Sequence, residues 1–437
     1  MDTVITQNMQ KNNPKIINAW CSFDIANSVY KLLITSVLFP LYYSSVTKKA
    51  FSGDMVEIFG FQIKNTVLYD YSFSAAFLLV AVISPLISGI ADYKGTKKRF
   101  MMFFTALGAF STFMMYWFTG DNILFGLSTV LFAAIGYEGA VLFYNAFLPE
   151  IATPELHDRI SAKGYSWGYI GAVVLLAVNI VIIMNHKYFG FEDDIAAIRF
   201  SFLQTGTWWF GVSFFAFYYL KEPVRVATRK KIILNGFHEL LNVWNYIKTQ
   251  STIKRFLLAF FFYSAGLQTL MFISAIFGKT EIGIAGVQLI ITILLIQLLA
   301  VIGAMFFSYV SRKRGNKFSL IVMIFTWLGV CVYGYELQTT IEFYILAAFV
   351  GLVMGGIQSL SRSTFSKLIP ENSIDTASFF GFYNIAEKLA VVFGMFLFGF
   401  IEHLTGNVRN SILSLIVVFF ISLIIMFLTK IPKYKQI

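Results

Sequence analysis

The stretch that decides the fold is residues 20–40, WCSFDIANSVYKLLITSVLFP. It is mostly apolar, and its length matches the roughly 20 residues that a helix needs to cross a bilayer. Its polar side chains recur three, four and seven positions apart, so they share one face of a helix. These side chains are Asp24, Asn27, Ser28, Lys31 and Thr35. We therefore predict a membrane-spanning helix with one polar side.

Two of these side chains are charged. A charge at the centre of a bilayer costs between about 2.5 and more than 10 kcal/mol. Asp24 and Lys31 must therefore face a cavity, a partner helix or each other. A protein organised around such a helix is expected to move a polar solute through the membrane.

The composition agrees with this expectation. Of the 437 residues, 57% are hydrophobic and only 13% are charged, whereas soluble proteins carry about 25% charged residues. The net charge of +11 is concentrated in loops on one side of the predicted helices, as the positive-inside rule requires. We therefore expect contact with membrane lipid, both termini in the cytoplasm and no nucleic-acid partner.

Twelve apolar segments can be counted along the chain. They are residues 18–46, 68–90, 99–118, 123–148, 162–186, 198–220, 254–277, 286–310, 318–337, 341–366, 377–402 and 410–430. We expect six helices in residues 1–220 and six in residues 254–437. The basic linker 221–253 contains a helical pattern over 232–247, which predicts a helix along the cytoplasmic face that touches anionic lipid. A regulatory or partner-binding role for this helix is the alternative.

The two halves of the sequence repeat each other. Residues 148–168 are echoed by 369–388, and 88–99 are echoed by 308–317. Duplicated transporters place the substrate at mid-depth between the repeats. The predicted fold is an all-α membrane protein of twelve transmembrane helices in two pseudo-symmetric six-helix halves.

Several motifs carry a resemblance to a known family. The loop SGIADYKGTKKR resembles the loop signature of the major facilitator superfamily, with matches at Asp92, Gly95, Lys97 and Lys98. FDIANSVY, FYNAFLPEIA, GGIQSLSRSTFSKLIPE and FFGFYNIAEK together resemble the bacterial relatives of the fungal autophagy-related vacuolar amino-acid effluxers.

The resemblance implies the major facilitator fold and a monomeric secondary transporter in the bacterial cytoplasmic (inner) membrane, with amino-acid export as one expectation. It also implies that the four matched loop residues have a structural role, locking the cytoplasmic end of the half.

Candidate substrate-binding residues are the polar groups within the apolar segments. Asp24 could bind a substrate ammonium, and Lys31 could bind a carboxylate or hold Asp24 ionised; the alternative is a static pair that packs the first helix. Asn27 and Gln268 could bind substrate or serve as hydrogen-bonding groups between helices. The full set is Asp24, Asn27, Lys31, Gln268, Gln358, Asn384 and Lys388.

Candidate proton-coupling residues are the carboxylates Asp24, Glu138 and Glu387. Glu138 is a lone carboxylate in an apolar run, which suits a group that takes up and releases a proton; a neutral acid making one hydrogen bond is the alternative. Glu387 and Lys388 are adjacent on one helix and point about 100° apart. We therefore expect one to face the cavity and the other a neighbouring helix.

The tenth segment combines close packing with a cation. Gly351 and Gly355 have the G-x-x-x-G spacing that lets two helices touch. Arg362 follows near the cytoplasmic end. We expect a gate residue that pairs with an acid of a neighbouring helix or loop; binding of an anionic substrate is the alternative.

Other classes of function lack support in the sequence. No glycine loop followed by Lys-Ser/Thr is present to cradle a phosphate, so ATP is not expected as the energy source. The four histidines are scattered without ligand-type neighbours, so we expect no metal and no cofactor. We expect no enzymatic activity. The second hypothesis is a membrane sensor or scaffold that has kept a transporter fold without transporting.

Overall fold

The computed structural model describes residues 10–58, 60–222, 232–284, 286–371 and 373–432. Within these ranges the chain forms thirteen long helices. They are α1 (Pro14–Ala50), α2 (Asn65–Lys94), α3 (Lys97–Met114), α4 (Ile123–Ala146), α5 (His157–Met184), α6 (Asp194–Tyr219), α7 (Ile232–Thr249), α8 (Ser251–Glu281), α9 (Val287–Arg314), α10 (Asn316–Glu336), α11 (Thr340–Leu368), α12 (Thr376–Thr405) and α13 (Val408–Leu428).

Each of the twelve predicted segments corresponds to one helix, with ends within about five residues, so the all-α fold is confirmed. Eleven helices in the described ranges are long and apolar enough to cross a membrane. The twelfth, α6, spans 26 residues but carries Gln204 and several Trp and Tyr residues, which lower its mean hydropathy. It packs against α1 and α3 like the other members of the bundle.

The helices form two groups on either side of α7. Helices α1–α6 make up the N-terminal half and α8–α13 the C-terminal half. The halves meet where α5 contacts α9 and α11, and where α12 contacts α2 and α4. A cavity lies between these contacts.

Helix α1 is not regular throughout. Residues Tyr30–Leu38 form a π-helical stretch, in which the backbone bonds reach five residues back instead of four. The Ser36 hydroxyl donates to the Lys31 carbonyl at 3.0 Å within this stretch. The wider turns were not predicted, and they add Ser36 to the polar side chains that line the cavity.

A short hairpin joins α1 to α2. Strands β1 (Met55–Ile58) and β2 (Phe61–Lys64) pair antiparallel, with Met55 opposite Lys64. An ion pair of 2.8 Å between Lys48 and Asp54 ties the end of α1 to the start of the hairpin. These strands were not predicted from the sequence.

Glycines set the closest helix contacts. A Cβ added at Gly355 would lie 2.0 Å from the Ala300 carbonyl oxygen of α9, and one at Gly351 would lie 2.6 Å from the Ile296 carbonyl oxygen. The predicted G-x-x-x-G contact is therefore confirmed, with α9 as the partner.

We predict that Gly355→Leu lowers the stability of the purified protein. The added side chain would collide with the backbone of α9, and overpacking of this kind costs at least about 1–3 kcal/mol. The measurement is the thermal unfolding midpoint in detergent. Gly329→Leu in α10 is the matched control, because no atom lies within 4 Å of an added Cβ there. Equal midpoints for the two variants would contradict the prediction.

Candidate functional site: a charged cavity between the halves

The cavity has a volume of about 180 Å³ and is lined by side chains of both halves. Four helices of the N-terminal half contribute, α1, α2, α4 and α5, together with α8, α9, α11 and α12 of the C-terminal half. Six charged residues line it: Asp24, Lys31 and Glu138 from the first half, and Arg362, Glu387 and Lys388 from the second. Their formal charges cancel.

Asp24 lies at the floor of the cavity and pairs with Arg362 of the opposite half. The Arg362 Nη2 atom is 3.2 Å from the Asp24 Oδ2 atom. The Tyr144 hydroxyl donates to the same oxygen at 2.6 Å. Asp24 and Lys31 therefore share a cavity, as one of the predicted arrangements required, but the partner of Asp24 is Arg362.

Arg362 is enclosed on all sides and is 2% exposed. Its guanidinium carbon lies 4.2 Å from the centre of the Tyr165 ring and 4.7 Å from that of Trp20. It also donates to the Ser161 hydroxyl and carbonyl at 2.9 Å each. The predicted pairing of Arg362 with an acid is observed, and it joins the two halves.

A second charge cluster lines the cavity and joins α4 to α12. The Lys388 ammonium is 2.6 Å from the Glu138 carboxylate of the opposite half and 3.7 Å from the Glu387 carboxylate. Gln268 donates to Glu387 at 3.2 Å. Glu138 is therefore not a lone carboxylate, because α12 brings Lys388 against it. The sequence could not show this contact between distant segments.

The expected separation of Glu387 from Lys388 is wrong. Both residues line the cavity and contact each other. The two Cα–Cβ bonds do diverge, but the four-carbon chain of lysine is long and flexible enough to bring its ammonium back.

Lys31 differs from the other cavity cations. Its side chain is exposed to the cavity, and among the described residues no carboxylate forms an ion pair with it. Glu387 and Glu138 act on it electrostatically from a longer distance. The side-chain oxygens of Asn27 and Gln297, which also line the cavity, have no hydrogen-bond donor in the described part of the chain.

The remaining predicted residues divide between cavity and packing. Gln358 lines the cavity and accepts a hydrogen bond from Tyr169 at 2.8 Å. Asn384 does not line it, which corrects the prediction, and is 4% exposed. One turn earlier α12 packs against α2, where an added Cβ at Gly381 would lie 2.7 Å from Ser88, so the polar face of α12 is covered there.

The predicted loop residues contribute to a contact between the halves. Asp92 accepts hydrogen bonds from the backbone amides of Ala377 and Ser378, the latter at 2.6 Å. Lys97 pairs with Asp92 at 3.1 Å and donates to Thr376 at 2.6 Å. These contacts place Asp92 at the N-terminus of α12, where unpaired amides favour a carboxylate.

Of the other matched loop residues, Gly95 ends α2 with a left-handed φ of 67°. Lys98 is half-buried and makes no ion pair with a described residue. Asp92 and Lys97 were expected to lock the end of one half, and the ion pairs of Lys97 with Asp92 and Glu150 lie within that half. Their hydrogen bonds with Thr376, Ala377 and Ser378 also join it to the other half.

Glu150 and Asp158 are two site residues that were not predicted from the sequence. Glu150 pairs with Lys97 and accepts from Thr376. Asp158 is fully buried and accepts from four side chains of the C-terminal half, at 2.7–2.8 Å: Ser311, Asn316, Ser363 and Lys367. Both acids lie in the repeated stretch 148–168, which is the one signal that could have found them. These contacts seal one end of the cavity, the closed end, which carries Asp92 and Asp158.

Comparison with known proteins identifies the family. A sequence profile described as "Vacuole effluxer Atg22 like" matches residues 12–436. An uncharacterized MFS-type transporter, YxiO of Bacillus subtilis, is 32% identical over 96% of this chain and 95% of its own length. Autophagy-related protein 22 of Saccharomyces cerevisiae is 25% identical over 79% of this chain and 74% of its own.

Solved structures show the same fold. The transporter FucP in its outward conformation superposes with a TM-score of 0.70 at 13% identity, covering 95% of this chain and 98% of FucP. The human organic anion transporter MFSD10 superposes with a TM-score of 0.71 at 12% identity, covering 95% and 100%. The chain therefore belongs to the Atg22-like family and has the twelve-helix major facilitator fold, which makes it an integral membrane transporter and not an enzyme.

Proposed function

We propose that the protein is a secondary active transporter of a small zwitterionic solute of amino-acid type, working as a monomer by alternating access and coupled to protons. The observation that carries the proposal is the unpaired Lys31 ammonium, which faces the same cavity as the Glu387 carboxylate. A solute with both charges satisfies these two groups together.

The charge balance of the cavity favours a solute with no net charge. The six charged side chains sum to zero, so a net anion or cation would leave one charge uncompensated in a largely apolar site. In the proposed complex Lys31 holds the carboxylate. The ammonium group of the solute donates to the Glu387 carboxylate, which lines the same cavity.

The cavity volume also favours a small solute. Pockets for drug-sized ligands measure about 300–1,000 Å³, whereas this cavity measures about 180 Å³. The aromatic side chains of Tyr137, Tyr169 and Phe77 provide apolar walls for a side chain of the solute.

The contacts at the closed end supply the moving part of the mechanism. Asp24–Arg362 and Asp158–Lys367 each join one half to the other. Alternating access requires that these pairs separate when the closed end opens and re-form when it closes. With both termini in the cytoplasm of a bacterial cell, as the basic loops favour, the proposal makes the closed end the cytoplasmic end.

Proton coupling is assigned to Glu138. Its partner Lys388 belongs to the opposite half, so a relative movement of the halves removes the counter-ion from a carboxylate in apolar surroundings. A proton then replaces the lost cation.

We predict that Lys31→Met weakens binding of zwitterionic amino acids. Losing a hydrogen bond to a charged group costs about 1.5–3 kcal/mol, or roughly a ten- to hundredfold loss of affinity. The measurement is the ligand-dependent rise in the unfolding midpoint of the purified protein, screened across amino acids and their amides, because a ligand of the folded state raises the midpoint.

Lys31→Arg retains the cation and should retain part of the shift. Lys49→Met, at an exposed lysine outside the cavity, should behave as the unaltered protein. An undiminished shift in Lys31→Met would contradict the proposed carboxylate site.

We predict that Glu138→Gln uncouples transport from protons. The glutamine keeps the shape but cannot take up a proton, so uptake driven by a pH gradient in liposomes should fall to the level seen without a gradient. Counterflow of the solute, which needs no net proton movement, should continue.

Asp24→Asn tests the other candidate proton-coupling carboxylate of the N-terminal half in the same way, and Glu57→Gln, at an exposed position of the hairpin, is the control. If Glu138→Gln keeps full gradient-driven uptake, the assignment to Glu138 is wrong. If Asp24→Asn also keeps it, neither carboxylate couples transport to protons.

A further inference from the structure

Helix α7 makes a close contact with the N-terminal half. A Cβ added at Gly236 would lie 2.9 Å from the backbone nitrogen of Ile90, and one added at Gly89 would lie 2.2 Å from the Gly236 carbonyl oxygen. The Asn235 side chain donates to the Tyr93 hydroxyl at 2.8 Å. The backbones of α7 and α2 therefore touch at a point where only glycine fits.

The other part of α7 packs on the C-terminal half. Trp244 stacks on Phe382 of α12 with ring centres 5.4 Å apart, and Tyr246 meets Phe379 edge-on at 5.8 Å. Val243 and Ile247 are buried at 3% and 2% exposure. One residue separates α7 from α8, which ties α7 covalently to the C-terminal half as well.

The two contacts flank the seam where Asp92 caps α12. Tyr93 follows Asp92 in the chain. Phe379 follows Ser378, whose backbone amide donates a hydrogen bond to Asp92. A separation of α2 from α12 at this end cannot occur while α7 stays docked on both helices. The contact with α2 is the one we expect to break, because a single residue joins α7 to α8 in the C-terminal half.

We propose that α7 is a clamp that holds the closed end shut, so that its docking on α2 sets how often this end of the transporter opens. The proposal rests on the alternating access proposed above. A connector needs only enough length to join α6 to α8, whereas α7 also has a glycine inside a helix, which weakens the helix and is explained here by the close approach to α2.

The test uses hydrogen exchange of the purified full-length protein in nanodiscs, without substrate. The amides of Ala377 and Ser378 lie in the first turn of α12, where an amide has no partner within its own helix. In the closed state these two amides donate to Asp92. Their exchange rate therefore reports separation of α2 from α12, and no probe has to be introduced by mutation.

Gly236→Leu should displace α7 from α2 and speed exchange in peptides containing Ala377 and Ser378 at least tenfold. Asn235→Ala removes one hydrogen bond without a steric clash and should speed it about two- to tenfold. Gly211→Leu, where an added Cβ meets nothing within 4 Å, should leave the rate unchanged. Exchange within α13 should be unchanged in all three variants, which separates opening from unfolding.

Unchanged exchange at Ala377 and Ser378 in both α7 variants would overturn the clamp while leaving the proposed transport function intact. Faster exchange that spreads equally through α13 would also overturn it, because α7 would then support the whole fold. Loss of solute binding with the predicted exchange pattern retained would count against the proposed solute and not against the clamp.

Discussion

Buried charges of one half are paired with charges of the other half, and the rest of the structure depends on this constraint. Asp24 pairs with Arg362, Glu138 with Lys388, and Asp158 with Lys367. None of these six side chains could remain ionised against lipid at an acceptable free energy. The halves are therefore held at a distance and orientation that keep all three pairs within reach.

The same constraint explains how such an interface can open. Desolvation of two ions offsets most of their attraction, so a buried ion pair contributes little net stability compared with its solvated components. When water enters a separating seam, it solvates the carboxylates and the cations that part. A contact made of ion pairs thus fixes the relative positions of the halves but contributes little net free energy. An apolar contact of equal area would cost more free energy to separate.

The sequence was informative where a property is local. The spacing of polar residues in α1 predicted the face that lines the cavity, and Asp24, Asn27, Lys31 and Thr35 all lie on it. The partner of Asp24 could not be predicted in the same way, because Arg362 is 338 positions away in the chain. Partners of this kind are fixed by how α1, α4 and α11 are arranged in space, and no periodicity within one helix contains that information.

Asp158 is a second residue whose partners could not be predicted from the sequence. Its four partners come from three helices of the opposite half, and the surrounding residues HDRIS have no feature that marks a buried carboxylate. The prediction that Glu387 and Lys388 face different sides was wrong for a different reason. Their divergence was inferred from the backbone, but the reach of the lysine side chain decides where its ammonium lies.

The π-helical stretch of α1 has a consequence for how this helix works. Asp24 lies in the regular part before the stretch and belongs to the sealed floor, whereas Lys31 lies inside the stretch and faces the cavity. Regular helix transmits a rotation from one end to the other as a rigid shaft does. In the proposed alternating-access cycle, the wider turns are where α1 would bend, so that Asp24 moves with the opposite half while the Lys31 ammonium still faces the solute.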